Sequence, residues 1–267
     1  MILSFRLFVK PGDILYLNMP SSWKSAAHWY HQKVGDQGHY FHQQVILPQV
    51  KRLISELKPA SVLDLGCGQG VLARQLPLSL RYVGVDSARP LITQAKKLDH
   101  HPQHVYHLAD MTQDLSFIPG NFDLIAFILS LQNCDHPELA LCEAASKLSP
   151  NGKIFMVLNH PCFRIARQSG WGSDPQTKIL YRYLNRYLSP LKIPVRIHPS
   201  QGDQSPIAWA YHFSLTDLFD WLKAAHLVTL DLTELTSNKQ SAGKTAPSEN
   251  RARAEFPLFL TLIAARL

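Results

Sequence analysis

The chain has 267 residues, 46% hydrophobic and 18% charged, a balance that excludes a disordered polypeptide and suits one large α/β domain or two small ones. A formal net charge of +7 favours anionic partners without specifying a fold. The 4 cysteines, Cys67, Cys134, Cys142 and Cys162, form no C-x-x-C pair, which argues against a metal knuckle or a redox dithiol and for reduced thiols in a cytoplasmic setting.

No apolar run is long enough to span a bilayer. The apolar opening Met1–Lys10 is interrupted by Arg6 and Lys10 and has no clean cleavage site after it. Residues 1–22 read as an N-terminal extension, loosely attached over 1–18 and with Met19 as an alternative start, and residues 23–267 as one domain. Val45, Ile46, Val50, Leu53, Ile54 and Leu57 recur at helical spacing, so 40–57 is expected to be an amphipathic helix within a helical lid over 23–58. Val62, Leu63 and Leu65 form a short strand. It stops at alternating glycines, and the run 71–76 after them reads as a helix. Strands are expected at 81–86, 105–110, 122–129 and 153–158, with helices at 89–98 and 137–148 between them. This alternation predicts a parallel, doubly wound sheet. It breaks over 160–213, an insertion rich in proline, aromatic and basic residues. It resumes with a helix at 215–225 behind a capping-box-like Ser214-Leu-Thr-Asp217. The strands at 227–235 and 256–264, joined by an exposed loop over 237–255, are expected to pair antiparallel.

The glycine run is the most informative feature. It reads Asp64-Leu-Gly66-Cys67-Gly68-Gln-Gly70, between a strand and a predicted helix. Glycines let a ligand approach the backbone, and a helix N-terminus offers free N–H groups. A dinucleotide-binding G-x-G-x-x-G would need its third glycine at position 71, which is Val71. The run resembles motif I, [D/E]-x-G-x-G-x-G, of the class I (Rossmann-like) S-adenosylmethionine-dependent methyltransferases, and Asp64, Gly66, Gly68 and Gly70 match it without departure. The resemblance implies a seven-stranded, mostly parallel sheet with a C-terminal antiparallel hairpin, and S-adenosyl-L-methionine as cofactor. Asn159–Trp171 and Tyr187–Pro194 are similar to a bacterial subgroup of type 11-like methyltransferase-domain proteins. Within that pattern Arg167–Trp171 matches and Ala166 replaces an expected proline. This subgroup implies the cofactor and no particular acceptor.

Ligands of such a sheet bind beyond the carboxyl ends of the strands. Family resemblance gives Asp64 the methionine amino end of the cofactor, and gives Asp110 the adenine amino group, with the backbone of Met111 beside the ring. Asp86 ends the second strand and suits the two ribose hydroxyls. Read singly, each acid could be a helix N-cap; their joint spacing favours the cofactor. Cys67, Ser87 and Leu129 join them as cofactor-binding candidates. Gln132 and Asn133, behind Ser130, are expected at the transfer centre. Asn159-His160-Pro161-Cys162-Phe163 is similar to the N-P-P-[Y/F] motif of amino-methyltransferases but follows the wrong strand, so that role is not carried over. His160 is the candidate general base, with a turn-shaping role as the alternative.

His28, His31, His39 and His42 form two H-x-x-H pairs. Zinc is one reading; the favoured one is a lid without metal, with Tyr30 or Tyr40 over a sulfonium, Tyr30 being the catalytic candidate. In the insertion, basic residues interleave with Trp171, Tyr181, Tyr183 and Tyr187. The four-residue spacings of Arg182/Arg186 and Tyr183/Tyr187 would give separate stripes on a helix. Asn159, Arg164, Trp171, Arg182 and Tyr183 are the substrate candidates. The preferred reading is in-line methyl transfer to a small anionic or aromatic metabolite. The rivals are an RNA or tRNA methyltransferase using the insertion, and a non-catalytic cofactor-binding protein.

Overall fold

In a computed structural model, residues 23–197 and 205–267 are described. The expected extension over 1–22 lies outside the described residues, as do residues 198–204 of the insertion. Helix α1 (Trp23–Val34) is followed by a π-helical turn, His42–Ile46, which runs into α2 (Leu47–Leu57). The single helix expected over 40–57 is therefore divided. Pro48 has no N–H to donate and its ring crowds the preceding turn, which opens to the wider π form.

Strands β1 (Ser61–Leu65), β2 (Arg81–Asp86), β3 (His104–Leu108), β4 (Phe122–Ile128) and β5 (Leu148–Asn159) are joined by parallel pairing. Between them run α3 (Arg89–Leu98) and α4 (Pro137–Ser146). The predicted helix after the glycines is instead a 3-10 turn, Ala73–Gln75. Pro77 disfavours helical geometry in the residue before it, and Leu76 is extended at φ −86° and ψ 153°.

Among its described residues the insertion forms two antiparallel hairpins and no helix. They are β6 (Ser169–Ser173) with β7 (Leu180–Leu184), and β8 (Leu191–Arg196) with β9 (Ile207–His212). Helix α5 (Leu215–Ala224) begins with a complete capping box between Ser214 and Asp217. Strand β10 (Leu227–Leu235) follows, then α6 (Ala246–Glu255), then β11 (Phe259–Arg266). Helix α6 replaces part of the loop expected at 237–255. Pro247 lies in its first turn, where a missing N–H costs nothing.

The seven-stranded sheet has the order β10-β11-β5-β4-β1-β2-β3, with β11 antiparallel to both neighbours. Alternate residues serve opposite faces. Leu63, Leu65, Phe127, Met156 and Leu262 pack toward α4 and α5, whereas Val62, Tyr82, Ala126, Phe155 and Val157 pack toward α2 and α3. The connection reverses direction between β1 and β4, which opens a crevice at their carboxyl ends.

Candidate functional site

A cleft of about 1050 Å³ lies at that crevice, walled by the glycine loop, α1, the 38–42 segment, the ends of β2 to β5, the β8–β9 hairpin and Phe259. Helix α1 and the β8–β9 hairpin close one side through a small cluster of Ala26, Ile197 and Ala208 with Trp23 and Trp29.

The glycine loop is held from behind. The amides of Gly66 and Cys67 donate to Val85 O at 2.8 and 3.0 Å, and the Gly70 amide donates to Cys67 O at 3.0 Å. The Gly68 amide donates to Asp86 Oδ2 at 2.9 Å. A phosphate cradle needs such amides free, so this loop is built for close backbone approach and not for a pyrophosphate. The helix-terminus argument for this loop therefore fails, because no α-helix follows it and its amides are already bonded. Gly66 (φ 78°) faces Ser130, whose Cβ lies 2.3 Å from where a glycine substituent would stand; Gly68 (φ 56°) faces Tyr30 with ordinary room, 3.5 Å to its hydroxyl.

The Asp86 carboxylate takes Gly68 N on Oδ2 and Ala88 N, at 2.8 Å, on Oδ1. Each oxygen keeps a second lone pair, and Asp86 is part of the cleft wall. Burial pushes its pKa up, and the two amides oppose that shift. Ser87, Asp110, Met111 and Leu129 also line the cleft. Asp110 stands two residues past the end of β3. Its Oδ1 is held by the Thr112 amide and hydroxyl at 2.9 and 2.8 Å, while Oδ2 has no hydrogen-bond partner among the described residues. Leu129 adopts φ 56°, a conformation that a branched residue holds only when its surroundings impose it. Tyr30 lines the cleft against Trp23, with ring centroids 5.6 Å apart. Burial, then Asp86 and Asp64, raise its pKa, so its hydroxyl stays protonated.

Several expected residues lie elsewhere. Asp64 is only 2% exposed and is not a cleft wall. Tyr82 donates to its Oδ2 at 2.8 Å, and its Oδ1 is buried without a partner among the described residues. Burial drives this carboxyl up to about 7, against the Tyr82 bond. The Cys67 thiol is likewise buried, and burial holds its pKa far above the usual range. Gln132 clasps the Asn159 backbone, accepting from its N at 2.6 Å and donating to its O at 2.9 Å, so it supports the site from outside. Asn133 does line the cleft and donates to Leu129 O at 2.9 Å.

His160 is not a cleft wall, which removes the geometry needed of a base. Its Nδ1 accepts from Cys162 N at 3.1 Å, so Nε2 carries the proton and donates to Glu234 Oε1 at 2.6 Å. Its backbone carbonyl accepts from Arg164 N at 2.8 Å, and this turn delivers Arg164 to the cleft. Trp171, Arg182 and Tyr183 are also outside. Arg182 stacks over Trp171 at 4.8 Å and donates to Phe163 O and Ser169 Oγ, while Trp171 meets Phe256 edge-on at 5.4 Å. In a strand, Arg182 and Tyr183 point to opposite faces, so no helical stripes form. Among the histidines, His31 bonds Gln69 at 2.8 Å and His28 bonds Gln32 at 3.0 Å, while His39 and His42 line the cleft. No metal-binding group of His, Cys, Asp and Glu occurs among the described residues. Tyr40 is not a cleft wall; Phe41 is.

The sequence reading missed the contributions of Phe41, Phe259, Lys192, Trp209 and Tyr211. Lys192 is tied to Asp135 at 3.0 Å and lies 5.3 and 5.4 Å from the Trp209 and Tyr211 rings. The Trp209-Ala-Tyr211 spacing of two was the available signal for a strand presenting one aromatic face.

Residues 63–156 match the family described as a methyltransferase domain. Over these residues the chain is similar to a methyltransferase domain. That stretch contributes the glycine loop, Asp86, Asp110 and the β4 end. The chain is 31% identical over 104 residues to a ubiquinone biosynthesis O-methyltransferase of Xanthomonas euvesicatoria, covering 38% of this chain and 44% of that protein. A protein of the same name from Coxiella burnetii is 26% identical over 181 residues, 66% of this chain and 67% of that one. The match thus spans less than half the length of the first of these relatives. The S-adenosylmethionine-dependent methyltransferase structure from Mesorhizobium loti superposes with a TM-score of 0.63 at 20% identity, over 82% of this chain and 96% of that one. The chain therefore shares the fold of that protein over most of its length.

Proposed function

We propose that the protein is an S-adenosylmethionine-dependent methyltransferase acting on a small anionic or aromatic metabolite in the cytoplasm. The observation that carries this reading is Asp86: a carboxylate in the cleft wall, pinned by Gly68 N and Ala88 N, with one lone pair left on each oxygen. It would accept the two ribose hydroxyls. Asp110 Oδ2, without an internal donor, would take the adenine amine, beside Met111 and Leu91. Asp64 Oδ1 is a buried acceptor that lacks the donor an ammonium supplies. The cofactor brings an activated methyl group on a sulfonium, so the chain's own task is to bind, align and exclude water. Tyr30 and Phe41 offer aromatic faces suited to a cation. Asn159, with a side-chain amide unbonded among the described residues, and Arg164 would hold the acceptor. The similarity to O-methyltransferases supports an oxygen acceptor as the first to try.

RNA is the second reading, favoured by the exposed Tyr181 and Tyr183 on a hairpin that also carries Lys178. No helix among the described residues is long and apolar enough to cross a membrane. Labelled-methyl transfer into a soluble metabolite extract and into total RNA, run in parallel, tests both. Label in the metabolite fraction alone supports the first reading, and label in RNA alone the second. Cofactor binding with no transfer into either fraction would favour the non-catalytic protein.

A further inference from the structure

The two ends of the cleft differ in charge. Toward β2 and β3 stand Asp86 and Asp110, and the cation at the hairpin, Lys192, is neutralised by Asp135 at 3.0 Å. At the opposite end, where β5 and β11 meet the 38–42 segment, there is no such pairing. Arg164 lies with its Cζ 4.9 Å over the Phe259 ring and makes no ion pair or side-chain hydrogen bond among the described residues. Lys239 stands 4.6 Å from the Tyr40 ring centroid and 5.1 Å from that of Phe41, likewise without an acidic partner there. His39 fits between them, its ring 5.8 Å from Phe41. Phe41 and Phe259 meet edge-on at 5.7 Å and form the apolar floor of this corner. The His39 imidazole is held below its usual pKa by burial, then by Lys239 and Arg164.

Arg164 is exposed on the cleft wall, and its guanidinium, lying on an aromatic ring with no acidic partner among the described residues, leaves its fork of donors free for an anion. We propose that this corner, formed by Arg164, Lys239, His39, Phe41 and Phe259, is the anion-binding subsite for a substrate bearing a carboxylate or phosphate on a flat unsaturated body. It rests on the reading of the cleft as a methyl-transfer site and adds which end receives the acceptor and by what chemistry. The Arg164 fork takes the anionic oxygens, and Phe41 and Phe259 flank the ring. Asn159, on the same wall, is left to address a neutral polar group of the substrate. The Arg182 cation, bonded to Phe163 O and stacked on Trp171, takes no part.

The test uses the full chain and three probes, benzoate, phenyl phosphate and benzamide, titrated by calorimetry with S-adenosylhomocysteine titrated separately. Benzoate or phenyl phosphate should bind, and whichever is tighter identifies the anion; neutral benzamide should bind at least tenfold more weakly. Arg164→Gln should weaken the anionic probe about tenfold and leave S-adenosylhomocysteine within twofold. Lys239→Gln, a surface change that keeps the fold if Arg164→Gln does not, should weaken it about threefold. Equal binding of benzoate and benzamide, no binding of either anion, or indifference to both substitutions overturns the subsite. Anion binding that depends on Arg164 in a protein that fails to bind S-adenosylhomocysteine leaves the subsite standing and overturns the methyltransferase reading instead.

Discussion

His160 Nε2 donates to Glu234 Oε1 across 2.6 Å, bridging the end of β5 to β10 over the intervening β11. The ring also lies 4.8 Å from Phe163 and is 2% exposed. Its role is to position the turn that carries Arg164. His160→Ala should lower stability by about 2 kcal/mol through lost packing and hydrogen bonds, read as a fall in Tm. Cofactor affinity should not change. A normal Tm with methyl transfer abolished would reinstate His160 as a base.

Asp86→Ala would remove the acceptor proposed for two ribose hydroxyls, and it releases the Gly68 amide. Loss of charge-assisted hydrogen bonds predicts about a hundredfold weaker S-adenosylhomocysteine binding by calorimetry. Unchanged affinity would take Asp86 out of the site.

Two glycines of the loop should fail in different ways. Gly66→Ala drives a methyl into Ser130, whose hydroxyl also donates to Leu65 O at 2.5 Å, so its damage should appear in Tm. Gly68→Val points into the cleft and should abolish cofactor binding, with a smaller loss of Tm from the left-handed backbone. Normal binding by a folded Gly68→Val would show that the cofactor does not pass this loop.

Arg182→Ala should destabilise the β6–β7 hairpin and leave the KM of a small acceptor unchanged, because Arg182 is committed to Phe163 and Ser169. Charge reversal at Lys178 and Arg186 tests the RNA reading separately. If RNA is the substrate, affinity falls across many sequences and the salt dependence flattens; gel shifts at several salt concentrations decide.

His42 gives a pH prediction. Burial, with a smaller contribution from His39, lowers its pKa to about 4, below the unfolded value near 6.5. The native state thus binds fewer protons than the unfolded state in that window. This contribution is complete above about pH 6.5 and is lost as pH falls toward 4, amounting to at most about 3 kcal/mol. His42→Gln should flatten the denaturant midpoint against pH between those limits. An unaltered slope would show that His42 titrates normally.

The parallel sheet, its C-terminal antiparallel pair and the glycine loop were legible because short apolar runs and acid-ended strands repeat at regular spacing. The position of Asp86 at the end of β2 was legible for the same reason. His160 was misassigned because sequence shows that an imidazole follows a strand, but not that Cys162 N and Glu234 occupy both its nitrogens. Trp171 and Arg182 were grouped with the cleft because they share an insertion with Lys192 and Trp209; only the division into two hairpins separates them. The division depends on the turn at 174–179 and the bends at 185–190, and proline-rich polar segments leave those turns ambiguous. Helix α6 was hidden by Pro247, which breaks helices in their interior and starts them in their first turn.

The placement of β11 between β5 and β10 also sets an order of events during synthesis. A ribosome has delivered the glycine loop, Asp86, Asp110 and Asn133 on the order of ten seconds before it reaches Phe259, at ordinary elongation rates. Through that interval β5, apolar for most of its length, offers an unpaired edge to any other strand nearby. The emerging chain is therefore most exposed to mispairing just when its cofactor end is already in place, and a ligand held there early would act as a chaperone for the half-built sheet.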